Sequence, residues 1–166
     1  PFDDTVLDVG RPGELVFTSL TKEALPIIRY RTHDLTRLLP GTQRPGHRRL
    51  GRITGRSDDM IILRGVNLFP SQVEELALQQ PELSPHFALE LTRPGRMDEM
   101  TVRIERREDA TMEQAEDAGK RLLHDIKTKI GSSCRIEVLD PDILPRSVGK
   151  IRRIYDYRNK PKGAGE

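Results

Sequence analysis

Six positions carry side chains or backbone freedom that could do chemistry: Asp34, Arg56, Asp58, Gly65, Asn67 and Lys150. Asp34 closes the run Tyr30-Arg31-Thr32-His33-Asp34 at an expected strand end. A carboxylate there can accept hydrogen bonds from two neighbouring hydroxyls, as on a ribose. It can equally end the strand by turn chemistry. Arg56 stands in Gly55-Arg56-Ser57-Asp58-Asp59, and its planar fork suits a phosphate or a ribose. The plainer use of that fork is an ion pair with Asp58 or Asp59. In Arg64-Gly65-Val66-Asn67 the glycine would let a ligand approach the backbone, or simply turn a strand toward a helix ahead of Pro70. Lys150 follows Leu144-Pro145-Arg146-Ser147-Val148-Gly149, where Pro and Gly interrupt regular structure. It reads either as a positioned cation or as a solvated turn. His33 is assigned no role, and Cys134 fits a core position better than a nucleophile.

The elements that must hold these groups fall into two sets. From Pro1 to about residue 57 the sequence predicts strands only: Glu14–Leu20, Pro26–Thr32 and Leu35–Leu39, each bounded by turn formers. Three or four strands without helices cannot bury both faces, so this part is expected to be the remnant of a larger sheet or barrel. From residue 58 to 160 the pattern changes. A short apolar strand, Met60–Leu63, precedes a helix over Ser71–Gln80, with Ser71 as N-cap and Glu74 completing a capping box. Phe87, Leu89 and Leu91, then Met100, Val102 and Ile104, alternate with polar residues and predict a hairpin. Met112 to Ile130 carries an apolar stripe at helical spacing, which Gly131 ends. Cys134, Ile136 and Val138 alternate in a last strand. The expected fold is α+β: a β-rich subdomain, then a ferredoxin-like β-α-β-β-α-β domain. Gly55–Asp59 is the joint between them, and residues 161–166 form a tail expected to be flexible.

Composition narrows the function classes. The chain has 166 residues, 35% hydrophobic and 33% charged, with no Trp and one Cys. A single cysteine leaves no internal disulfide and no multi-cysteine metal site. No apolar run approaches the roughly 18 residues a membrane span needs. A reduced, cytoplasmic setting without a membrane partner is expected. The chain opens at Pro1, in turn-rich sequence, and reads as a piece of something longer. The net charge of +2 is uneven: residues 29–56 hold eight arginines against one acid, Asp34. Such a strip can meet the phosphates of a nucleotide, a coenzyme or a nucleic acid, or remain a solvated sheet edge.

The order and spacing of the motifs say more than any one of them. "RYRTHDLTRLLPG", "ITGRSDDMIILRGVNLFPSQVEE" and "LPRSVGKIRR" resemble the adenylate-forming acyl-CoA synthetases, and within them the carboxy-terminal third of the phenylacetate–CoA ligase family. The resemblance spans about residues 10–158. It implies an acid–thiol ligase working in two steps: a carboxylate attacks the α-phosphate of ATP to give an acyl-adenylate and diphosphate, and the thiol of coenzyme A then displaces AMP. It further implies that Asp34 holds the ribose hydroxyls, Arg56 helps hold the nucleotide and Asp58 is the hinge of a rotating domain. Lys150 would bridge carboxylate and nucleotide, and Gly65 to Asn67 would face the coenzyme A tunnel. Many relatives have glycine where His33 stands, and many synthetases have arginine where Asn67 stands. The implied partners are phenylacetate or a similar aryl acid, ATP and AMP, coenzyme A and an amino-terminal domain, with room for a homodimer. Mg²⁺ would be needed, with its ligands, the phosphate loop and the acyl pocket outside these residues. The fragment alone is therefore expected to be inactive.

Two alternatives stay open. One is the same part of a ligase for another aryl or acyl acid. The other is a ferredoxin-like RNA-binding module, which would need aromatic residues paired on an exposed sheet face. Phe69, Phe87 and the three tyrosines are scattered instead, so no nucleic-acid partner is expected.

Overall fold

The computed structural model describes residues 5–44, 46–146 and 152–158. The expected tail at 161–166 lies outside them. The chain divides into two compact units, Pro1–Asp59 and Met60–Glu166.

The first unit is built around β2 (Tyr30–Leu39), which pairs antiparallel with β1 (Pro12–Phe17), β3 (Arg49–Leu50) and β4 (Gly55–Arg56). The two strands expected over Pro26–Thr32 and Leu35–Leu39 are one strand beginning at Tyr30. Pro26 has no N–H for a ladder, and Leu25 and Arg29 sit at φ 55° and 49°, which keeps the lead-in out of the sheet. Within β2 the register jumps: Glu14 faces Leu35, whereas Val16 faces Arg31. Thr32, His33 and Asp34 stand against Leu15 alone, two residues in excess, and the strand bulges there with His33 at φ 64°. The Thr32 hydroxyl donates to Leu15 O (3.1 Å) and accepts from the Asp34 N–H (3.0 Å), which holds the bulge closed. Thr36 is the one buried side chain among the described residues of this unit. Phe17 and Tyr30 meet edge to face at 5.5 Å yet both stay exposed.

The second unit contains the hydrophobic core. A four-stranded sheet runs β10 (Ile154–Asp156), β7 (Leu83–Thr92), β8 (Glu99–Arg106), β9 (Arg135–Leu139). β7 and β8 are the expected antiparallel hairpin, and β9 and β10 flank it in parallel. Helices α1 (Pro70–Ala77) and α2 (Met112–Asp125) contribute Val73, Leu76, Ala115, Ala118 and Leu122 to the core beside Leu89, Leu91, Met100, Val102 and Ile104 of the sheet. Gly119 lets α2 approach β9: a Cβ there would stand 3.1 Å from Val138 Cγ2. A π-helical turn, Ile126–Ile130, extends α2 until Gly131 reverses the backbone at φ 81°. No helix among the described residues is long and apolar enough to cross a membrane.

Three sequence expectations are corrected here. The strand expected at the start of the second unit, β5 (Ile61–Leu63), does not join the main sheet. It forms a two-stranded ribbon with β6 (Val66–Leu68). Arg64 and Gly65 both take positive φ, 50° and 83°, the requirement of a two-residue hairpin turn whose twist matches the strands. The helix after it starts one residue earlier than expected. Pro70, which has no N–H to leave unpaired, occupies the first turn, and the Gln72 side chain accepts from the Phe69 N–H at 2.9 Å. Glu74, expected to cap the helix with Ser71, instead forms a two-pronged pair with Arg153. The sheet edge that β5 was expected to occupy is β10, three residues long and too short to recognise by alternation.

Candidate functional site

Each unit carries its own group of candidate residues. In the first, β4 lies against β2 so that Arg56 pairs in register with Asp34. Arg56 Nη1 donates to Asp34 Oδ1 (3.2 Å) and to Thr32 O (3.1 Å), while its other face grips Asp58 through Nε and Nη2 at 2.9 and 2.7 Å. The fold thus brings together three residues separated by up to 24 positions. Asp58 lies in a single 3₁₀ turn, Ser57–Asp59. The Arg56 guanidinium holds the Asp58 carboxyl below the usual range, and Asp58 in turn raises Arg56. The plainer reading of Arg56, an ion pair with Asp58, is present alongside its contact with Asp34. Both partners keep exposed surface, Asp34 at 26% and Arg56 at 31%.

Behind this group stands Glu14, which sequence reasoning did not single out. Its carboxylate accepts from Arg31 Nε and Nη2 at 2.9 and 2.7 Å and from the Ser57 hydroxyl at 3.3 Å. The His33 Nδ1 lies 3.5 Å from the same carboxylate and 3.3 Å from Ser57 Oγ. Arg31 is the main reason the Glu14 pKa falls to about 2, against the opposing push of burial.

In the second unit, Gly65 and Asn67 sit on the exposed β5–β6 ribbon, with Ile61, Leu63 and Leu68 buried beneath. Space is open around Gly65. The ribbon is pinned to the sheet hairpin: Arg64 Nε donates to Asp98 O (2.7 Å), and Arg158 Nη1 donates to both Ile62 O and Asp98 Oδ2. Arg93 and Arg158 together hold the Asp98 carboxyl below its ordinary range. Lys150 lies outside the described residues. The stem leading toward it is described, and it rests on Glu105, which the strand alternation assigns to a wet face. Glu105 is instead 1% exposed. It accepts from the Leu144 N–H (2.7 Å) and from Arg146 Nη1 and Nη2 at 3.2 and 2.7 Å. Burial pushes its pKa up, but Arg146 and the backbone donors outweigh that and leave it lowered. An open cavity of about 210 Å³ adjoins this stem, lined by His86, Phe87, Arg152, Arg153 and Tyr155 among others. Burial alone drives the Cys134 thiol up to about 11, the behaviour of a core thiol and not of a nucleophile.

A β-rich unit carrying paired Asp34 and Arg56, followed by two helices and a four-stranded sheet, defines a mixed α/β protein with its polar chemistry at a strand bulge and at turns. The family profile described as AMP-binding enzyme C-terminal domain matches residues 65–158, more than half of the chain, and the chain belongs to that family. Phenylacetate-coenzyme A ligase of Aromatoleum evansii is 53% identical over 165 residues, covering 96% of this chain and 37% of its own length. The chain therefore spans little more than a third of that relative. The crystal structure of 2-hydroxyisobutyryl-CoA ligase in the postadenylation state, in complex with R3-HIB-AMP, superposes with a TM-score of 0.78 at 30% identity. It covers 92% of this chain and 33% of the solved one. The same ligase in complex with 2-HIB-AMP and CoA, in the thioesterification state, gives 0.57 at 29% identity with the same coverage.

Proposed function

We propose that this chain is the carboxy-terminal part of an ATP-dependent phenylacetate–CoA ligase. The reaction would be phenylacetate, ATP and coenzyme A to phenylacetyl-CoA, AMP and diphosphate through an acyl-adenylate. The observation that carries this reading is the likeness to the Aromatoleum ligase along almost the whole chain. A ligase for another acid shares the same chemistry, and the 2-hydroxyisobutyryl enzyme among the solved neighbours keeps it as the second reading. An RNA-binding module is not favoured. Phe87 is buried, and where β7, β8 and β9 show polar side chains they hold the ion-paired ladder Glu90–Arg103–Glu137 and not stacking aromatics.

In this reading residues 1–57 are the β-rich end of the large domain's barrel. Residues 58–160 are the mobile small domain, a ferredoxin-like sandwich in which β10 takes the edge. Asp34 accepts hydrogen bonds from the ribose hydroxyls and Arg56 helps hold the nucleotide, a division supported by their contact at 3.2 Å. Asp58 is the hinge, and its hold on Arg56 would tie rotation to nucleotide binding. A carboxylate and an α-phosphate repel one another, so adenylation needs a cation between them that follows charge developing on phosphate. Lys150 supplies it as a compact point charge on a long stem. Moving it away for the second step leaves room for the thiol, with Gly65 to Asn67 facing the coenzyme A tunnel. Among the described residues no group of three or more His, Cys, Asp or Glu could hold a metal ion. This reading routes no step of this chain through Mg²⁺ and assigns the ligands for that ion to the rest of the ligase. A cytoplasmic enzyme, with a homodimer as one compatible assembly, completes the reading.

The test is direct. The longer chain should form acyl-CoA from phenylacetate, ATP, Mg²⁺ and coenzyme A, while the 166-residue chain alone should form none. Turnover by the isolated chain, or none by the longer one with any aryl or acyl acid, would sink the proposal.

A further inference from the structure

We infer that Glu14 is a positioning residue of the nucleotide site, tying the bulge that presents Asp34 to the Ser57 turn beside Arg56. The inference rests on the proposed nucleotide role of Asp34 and Arg56. Glu14 differs from an ordinary surface ion pair in three respects. Its side chain is 13% exposed, against 44% for its partner Arg31. Its two oxygens are divided among partners from separate segments: Arg31 and His33 on β2, and Ser57 43 residues further along the chain. And those partners bracket the functional residues, with His33 immediately before Asp34 and Ser57 between Arg56 and Asp58.

The physical need for such a tie lies in His33. Its φ of 64° is one that a side chain other than glycine's adopts only against steric resistance, so the bulge persists only where its surroundings over-determine it. Thr32 holds the bulge to β1, and Arg56 holds it through Thr32 O and Asp34. Glu14 supplies the remaining support, through Arg31 and the His33 ring. Losing it removes the one carboxylate that Arg31, His33 and Ser57 share, and the Asp34 carboxylate then points less reproducibly at a ribose. Misplacement of about 1 Å in such a group can cost up to a hundredfold in rate.

Glu14→Gln keeps the shape but turns one acceptor into a donor that faces Arg31 or Ser57. In the longer ligase chain, the Michaelis constants for ATP in adenylation and for acyl-adenylate in thioester formation should both rise about tenfold or more. Those for coenzyme A and for the acid should stay within about twofold, because the damage is confined to nucleotide placement. A merely structural role would lower thermal stability and leave that selectivity absent. Ser57→Ala removes the hydroxyl's 3.3 Å contacts with Glu14 and with the His33 ring, leaves the Arg31–Glu14 pair in place and guards against misfolding of the first variant. It should raise the constant for ATP about threefold in the same pattern. The inference is overturned if both variants leave the ATP constant unchanged, or if the coenzyme A constant rises in parallel. A wild-type chain without ATP-dependent thioester formation would remove the functional reading itself, an outcome seen before any variant is made.

Discussion

Arg146→Met tests how the stem before Lys150 is held. In the native chain the Glu105 carboxylate is 1% exposed and accepts three hydrogen bonds, two of them from Arg146. Methionine keeps much of the side-chain length and removes the charge, leaving the buried carboxylate with backbone donors alone. Breaking a fully buried ion pair costs about 3–5 kcal/mol, whereas losing a hydrogen bond to a charged group costs about 1.5–3. Arg146 is itself 42% exposed, so solvent screening favours the lower range. A loss of about 2 kcal/mol at pH 7 is expected. The pH dependence adds a sign. In the native protein Glu105 is held below its ordinary value of 4.5, so its stabilisation is present above that value and fades as pH falls through the lowered one. Without Arg146, burial dominates and raises the pKa, so protonation at acid pH relieves the variant. The gap between the two proteins should therefore narrow as pH falls from 7 toward 4. Both described α-helices lie in the second unit, so urea unfolding followed by circular dichroism at the helical band reports on the unit concerned. A loss under 0.5 kcal/mol, or one independent of pH, would refute the assignment of Glu105 as a charged anchor.

Two further outcomes follow from local geometry. His33→Gly and His33→Ala both lose the imidazole, but only glycine relaxes at φ 64°. The glycine variant should be more stable by about 1 kcal/mol, read from native-state hydrogen exchange at the β2 amides, and equal protection would contradict the left-handed bulge. Cys134, its pKa raised from 9.0 to about 11, should alkylate at pH 8 about a hundredfold more slowly than in the urea-unfolded chain. Rates within threefold of each other would show an accessible thiol.

Much of the second unit is legible because its elements are long and periodic. The β7–β8 hairpin alternates, α2 carries a continuous apolar stripe, and Gly131 ends the helix where its φ of 81° requires. The errors have physical causes. Ser71 and Glu74 have the spacing of a capping box, but Pro70 moves the start of α1 and Arg153 claims Glu74. The polar run Thr32-His33-Asp34 reads as a break between strands, yet it is a bulge inside one. Glu105 follows the polar alternation of β8 and is then covered by the chain at Leu144, a contact 39 residues away that no local pattern announces. The Asp34–Arg56–Asp58 group is a similar case. The Arg56–Asp58 pair is local, but only the pairing of β2 with β4 brings Asp34 to Arg56. Glu14 gave no signal beyond opening an expected strand.

The central claim is tested most directly at Lys150. In the longer ligase chain, Lys150→Ala should lower adenylation, measured as diphosphate exchange, by about 10²–10³. Thioester formation from supplied acyl-adenylate should proceed near the wild-type rate, since the role proposed for the lysine is confined to the first step. Equal loss of both half-reactions, or full retention of diphosphate exchange, would contradict the account.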